Sequence, residues 1–192
     1  ICVEQVSQNF QKEFHVANNT NSTSKSNGRK NAVRGGIGAM ALSAAALVGL
    51  ALYEGYSDKA IIPVKGDVPT IGFGTTGGVK MGDKISPPQA LVRALQDIQK
   101  FEGALKDCVK VPLAQHEYDT YVTFSYNIGS SAFCRSTLVR KLNALDYDGA
   151  CKELLKWTYF QGKNCALPEN SRLCGGLATR RQAEYKQCIG DQ

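Results

Sequence analysis

The sequence predicts an α+β fold in which a small sheet lobe precedes a larger helical lobe. Over residues 56–79, Gly, Pro, Thr and apolar residues alternate without helical period, the pattern of short strands joined by turns. Beyond them, Ser86 is placed to cap a helix and Pro87 to occupy its first turn. Leu91, Ala94, Leu95, Ile98, Phe101 and Leu105 then recur at helical spacing. Strands first and helices after segregate the two kinds of structure into separate lobes. The chain has 192 residues, of which 43% are hydrophobic and 21% charged. That is enough for one such domain with an appendage, and too apolar for a disordered polyelectrolyte.

Residues 1–34 form a polar tail with an Asn/Ser/Thr/Lys run over 18–30, which buries too little apolar surface to fold alone. The tail is therefore expected to stand outside the fold. Residues 35–53 carry no charge. As a helix they would span roughly 28 Å, close to a hydrocarbon core of about 30 Å. Yet eleven of the nineteen are Gly, Ala or Ser, which drive insertion weakly. Arg29, Lys30 and Arg34 precede the segment, while Glu54 and Asp58 follow it, so the positive-inside rule puts residues 1–34 in the cytoplasm and 54–192 across the membrane. A buried soluble helix, a cleaved signal peptide ending near Ala44-Ala45-Ala46 and a permanent anchor are the competing readings. Ala41, Ala45 and Gly49 have a small-xxx-small spacing that also suits close helix packing.

In the domain proper, residues 54–192, Tyr118, Tyr121 and Val122 predict a second helix stopping near Gly129. Further helices are expected over 137–145, 149–157 and 178–188. Gly72, Gly74 and Gly77 have glycine-loop spacing, but no long strand precedes and no helix follows, which argues against a dinucleotide site. Two His and no HExxH or CxxC argue against a zinc enzyme. The net charge of +6 is too even for a dedicated nucleic-acid binder. A weak positive field suits an anionic polymer such as a cell wall, and ordinary solubility explains it equally well.

The chemistry is expected at Glu54 and the stretch that follows it. A Glu ending an apolar helix can keep its proton through partial desolvation, as a general acid requires. A second carboxylate on a nearby β segment, Asp67, can stay ionised and activate a water, with the Thr70 hydroxyl orienting that water. Two carboxylates in unlike environments are the requirement for glycosidic hydrolysis. By itself the pair also fits a surface Glu and a turn Asp.

The wider pattern resembles the phage-type lysozymes, the endolysins of glycoside hydrolase family 24, over roughly residues 48–188. It consists of Glu54-Gly55, Pro69-Thr70-Ile71-Gly72-Phe73-Gly74 with Thr75-Thr76, Val111-Pro112-Leu113, Tyr126-Asn127-Ile128-Gly129, Ser136-Thr137-Leu138, Lys141-Leu142-Asn143, Trp157, Gly176-Leu177 and Arg180-Arg181-x-x-Glu184. The resemblance implies a phage-lysozyme-like fold with a cleft between its lobes. It also implies a muramidase cutting the β-1,4 bond between N-acetylmuramic acid and N-acetylglucosamine of peptidoglycan, with inversion and without cofactor or metal. Glu54 is then the general acid and Thr70 the third catalytic residue. The family's second carboxylate falls nine residues after the glutamate, where this chain has Pro63, and the Glu-to-Thr separation is one residue longer than usual. Asp67 is the best substitute and Asp58 the other. Thr75 stands where the family often has His. Asn127 matches a cleft-lining position and is the candidate substrate contact; it also reads as the residue ending a helix before Gly129. Of Arg180 and Arg181, one is expected to support Glu54 and neither to do chemistry.

In that family the catalytic glutamate ends a helix of the enzyme itself, and only residues 43–53 are available for it. The weakly apolar segment then resembles that of signal-arrest-release endolysins. These are tethered and inactive in the host inner membrane, then active in the periplasm once the segment leaves the bilayer. Cys108, Cys134, Cys151, Cys165, Cys174 and Cys188 lie on the oxidising side, giving up to three disulfides, with Cys165–Cys174 the favoured pair. Cys2 is left unpaired in the tail. No cysteine lies in 35–53, so thiol exchange from within the segment has no basis. The chain is expected to act as a monomer on peptidoglycan. A lytic transglycosylase and a catalytically inactive wall-binding module remain the alternatives.

Overall fold

The structure, a computed structural model, describes residues 33–63 and 66–191. The tail up to residue 32, with Cys2, lies outside the described residues. A 3₁₀ turn at Ile37–Ala39 leads into α1 (Ala44–Glu54), so only the second half of the apolar segment is α-helical. Ser43 caps α1, its hydroxyl accepting from the Ala46 amide at 3.1 Å. Among the described residues, no helix is long and apolar enough to cross a membrane.

Among the described residues, the sheet lobe is one antiparallel pair, β1 (Ser57–Ile61) with β2 (Thr70–Gly72), carrying a register irregularity between Ser57 and Ile61. Its core is small: Ala60, Ile71 and Val79, with Ile85 packed against them. From it α2 (Pro87–Cys108) runs into the helical lobe, opened by the predicted Ser86 and Pro87 and by a capping box with Gln89. The lobe then adds α3 (Gln115–Ile128), α4 (Ser130–Cys134), α5 (Thr137–Asn143), α6 (Tyr147–Leu154) and α7 (Ser171–Cys188), the last kinked at Cys174. Gly129 stops α3 where the sequence placed its end. The core holds Ile98, Leu105, Leu113, Tyr118, Tyr121, Val122, Phe124, Phe133, Leu138, Leu142 and Leu154, drawn from α2 to α6 and the connection between α2 and α3.

Besides the 3₁₀ turns at Ile37–Ala39 and Pro168–Asn170, two described features have no counterpart in the sequence reading. One is α4, a single short turn. The other is the hairpin β3 (Tyr159–Phe160) with β4 (Lys163–Asn164), which turns through Gln161 and Gly162 at positive φ. Three disulfides, Cys108–Cys134, Cys151–Cys188 and Cys165–Cys174, staple α2 to α4, α6 to α7, and the hairpin's end to α7. The favoured Cys165–Cys174 pair is among them.

Candidate active site

Glu54 is the last residue of α1. A carboxylate at a helix C-terminus meets the negative end of the helix dipole, so it needs a cation nearby. Arg180 of α7 supplies one, its Nη1 3.1 Å from Glu54 Oε1. The Arg180 Nε donates in turn to Glu184 Oε1 at 3.0 Å. Glu184 Oε2 accepts from Arg181, whose other groups reach Asn127 Oδ1 and, at 3.0 Å, the Trp157 carbonyl. Arg181 is wholly buried over the Phe124 ring. Burial pulls its guanidinium down from the ordinary range, and Glu184 opposes that. Glu54 thus ends a chain of charges that runs through the helical lobe. Arg180 is the supporting arginine; Arg181 braces Glu184 behind it.

On its other side Glu54 meets the sheet lobe. Reciprocal backbone bonds between Ile71 and Thr75, at 2.9 and 3.1 Å, close the turn 72–74. A Cβ on Gly74 would stand 3.3 Å from Glu54 Oε2 and 3.6 Å from Tyr126 Cε1, and Gly74 has φ +85°. Only glycine lets the turn lie this close to the carboxylate in that conformation. Gly55, at φ +69°, ends α1 directly after Glu54 and turns the chain into β1.

Three side chains pin the turn. The Tyr126 hydroxyl donates to the Phe73 carbonyl at 2.9 Å, and its ring packs 5.0 Å from Phe101. Burial pushes the Tyr126 phenol up, with Asp97 and Glu54 adding to the effect, so it keeps its proton and remains a donor. The Tyr56 ring lies 5.4 Å from that of Phe73, and its hydroxyl donates to the Ile85 carbonyl at 2.7 Å. Thr75, buried, donates to Asp97 Oδ2 at 2.8 Å.

Thr70 opens β2, two residues before this turn, and its hydroxyl donates to the Val68 carbonyl at 3.1 Å. Asp67 is exposed, its Oδ1 accepting from the adjacent Val68 amide at 3.0 Å. Asp58 is exposed on β1. Asn127, in the last turn of α3, has its carbonyl oxygen on Arg181. The structure therefore brings Glu54 together with Arg180 and the turn that follows Thr70. It leaves both aspartates in solvent. Tyr126 is a site residue that the sequence does not single out; its signal is an aromatic one residue before Asn127 in a helix about to stop.

The family model for phage lysozyme matches residues 51–184, which begins just before Glu54 and ends on Glu184. The chain belongs to the phage lysozyme family. Among curated relatives, this lysozyme is 39% identical to an endolysin of Acyrthosiphon pisum secondary endosymbiont phage 1 over 76% of its own length and 95% of the relative's. It is 38% identical to a SAR-endolysin of Pseudomonas phage phiKMV over 76% of its own length and 87% of the relative's. Among solved structures, an endolysin from Escherichia coli O157:H7 phage FAHEc1 superposes with a TM-score of 0.67 at 32% identity, covering 81% of the lysozyme and 97% of that chain. The α+β lysozyme fold expected from the sequence is the fold observed.

Proposed function

We propose that this lysozyme is an endolysin that hydrolyses the β-1,4 bond between N-acetylmuramic acid and N-acetylglucosamine in host peptidoglycan. Glu54 is the general acid that protonates the glycosidic oxygen. Water attacks the anomeric carbon from the opposite face, oriented by Thr70 and giving its proton to Asp67. Asn127 contacts the glycan. The observation that carries this reading is the seat of Glu54 where the lobes meet. It is held from behind by Arg180 and faced by the glycine turn that follows Thr70. A fixed, partly accessible carboxyl is what proton donation to a long polymer requires.

Residues 35–53 hold the chain in the host inner membrane before release, and the released enzyme works in the periplasm. The SAR-endolysin names of relatives support this. So do the small-residue composition of the segment and the exposure of Val48, Leu52 and Tyr53 in the fold.

Glu54→Gln and Asp67→Asn, assayed for turbidity loss of cell-wall preparations with mass spectrometry of the products, test the catalytic reading. Glu54→Gln should lose roughly 10²–10⁴ in rate, and the parent should release free reducing ends. Full wall lysis by Glu54→Gln would refute the assignment. The exposed, locally bonded Asp67 favours one alternative, a lytic transglycosylase, which needs no second carboxylate. Full activity of Asp67→Asn together with anhydro products would establish it.

A further inference from the structure

Among the buried carboxylates outside the catalytic machinery, three face residues 34–43: Glu102 on α2 and Glu117 and Asp119 on α3. Each has one donor from within the helical lobe and at least one from residues 34–43. Glu102 Oε1 takes the Tyr118 hydroxyl at 2.9 Å and the Leu42 amide at 2.7 Å. Asp119 Oδ1 takes Gln115 Nε2 at 2.8 Å and the Ser43 amide at 2.9 Å. Glu117 takes the Ala114 amide at 2.8 Å and a forked Arg34, at 2.6 to 3.1 Å. In the other direction, Lys106 Nζ donates to the Met40 carbonyl at 2.7 Å, and Gln115 Nε2 to that of Ala41 at 2.9 Å. Gly35 pairs with Leu113 through two backbone bonds, at 2.9 and 3.0 Å.

Apart from Arg34, every one of these contacts reads the backbone of the segment. That suits a stretch of Gly, Ala and Ser whose side chains offer little to grip. In a bilayer a helix satisfies such amides and carbonyls internally. In the fold, residues 40–43 are not helical, and their polar groups need partners.

We propose that Glu102, Glu117 and Asp119 form a receptor that captures residues 34–43 as they leave the membrane. By fixing where α1 begins, the receptor sets where α1 ends, and so places Glu54. The carboxylates and Arg34 are positioning residues for the reaction. This rests on the membrane reading above and goes beyond it in one respect. Arg34 flanks the segment on the cytoplasmic side in the tethered state, yet it pairs with Glu117 in the fold, its guanidinium also 3.7 Å from the centre of the Tyr147 ring. Arg34 must therefore follow the segment across the bilayer, and the ion pair with Glu117 holds it there.

The test uses the full chain in bacterial cells, fractionated into membrane and soluble pools, with kcat and KM measured on the soluble protein. Arg34→Ala and Glu117→Gln should each reduce the soluble fraction about tenfold or more, since either change breaks the ion pair at the buried Glu117 carboxylate. They should also lower kcat of what is released, with little change in KM. Arg34→Lys should fall between, keeping the charge and losing the fork. Lys30→Ala, which removes another charge from the same flank, should behave as the parent. Arg34→Ala reports even if Glu117→Gln does not fold. Parent-like partitioning and kcat in Arg34→Ala, even with a lower Tm, would overturn the proposal. A parent that is wholly soluble from the start would sink the membrane reading. Loss of kcat in Arg34→Ala would then still uphold the receptor.

Discussion

The helices α1 and α3 lie against each other and divide composition and burial in opposite ways. Of the eleven residues of α1, ten are apolar or glycine, yet only Leu50 is buried, while Val48, Leu52 and Tyr53 stand exposed. The neighbouring α3 buries Glu117, Asp119, Thr120 and Ser125 beside its aromatic core. Burial in this fold explains the sequence of α3, where each buried carboxylate has its donors. It does not explain the whole sequence of α1, whose Val48, Leu52 and Tyr53 meet water. The proposed passage of α1 through a bilayer accounts for that excess of apolar residues.

The largest expected effect lies at the end of α1. Glu54→Gln should abolish most wall lysis, by roughly 10²–10⁴, while leaving the thermal transition of the soluble protein near that of the parent. A smaller effect contrasts the two faces of the helix. Leu50→Ala should cost about 3 kcal/mol in urea unfolding. Leu52→Ser, one exposed residue further along, should stay within about 0.5 kcal/mol. Equal losses at the two positions would mean that α1 is buried all round. On the α3 side, Tyr118→Phe removes one of the two donors to Glu102 and should cost about 1–2 kcal/mol.

The smallest effect is electrostatic and lies on α6. Lys141 and Lys156, at 2.7 and 2.8 Å, hold the Glu153 carboxyl below its ordinary range. A depressed folded-state pKa adds stability that is present above about pH 4.5 and lost as the pH falls through the lower folded value. Glu153→Gln should therefore lower Tm at pH 7, and its deficit relative to the parent should shrink in acid. A deficit that grows in acid would reverse the sign of this account.

What the sequence disclosed was local. The start of α2 at Ser86 and Pro87, the stop of α3 at Gly129 and the helix ending on Glu54 follow from signals within a few residues of each feature. Motifs in order along the chain pointed to Glu54 and to the turn that follows Thr70, which the structure brings together. What it hid was long-range. The Arg34–Glu117 pair joins residues 83 apart, and Arg34 reads as part of a polar tail until its partner is seen. Arg181 follows Arg180 in a run of polar residues, yet it is fully buried, because Glu184, Asn127 and the Trp157 carbonyl satisfy it in three dimensions. The hairpin at Tyr159–Phe160 and Lys163–Asn164 has strands of two residues, too short for any alternation to register.

The contrast between α1 and its neighbour is tested most directly by making α1 a better membrane helix without disturbing the fold. Ala44 and Ala45 are exposed, and nothing lies within 4 Å of a Cβ built on Gly49. Leucines at all three positions should therefore fit the folded enzyme, while the larger apolar surface deepens the hold of the bilayer. The measurement is the membrane-bound fraction and the lytic activity of Ala44→Leu/Ala45→Leu/Gly49→Leu in cells. The variant should stay in the membrane and fail to lyse the wall. Release and full lysis by this variant would contradict the membrane passage of α1.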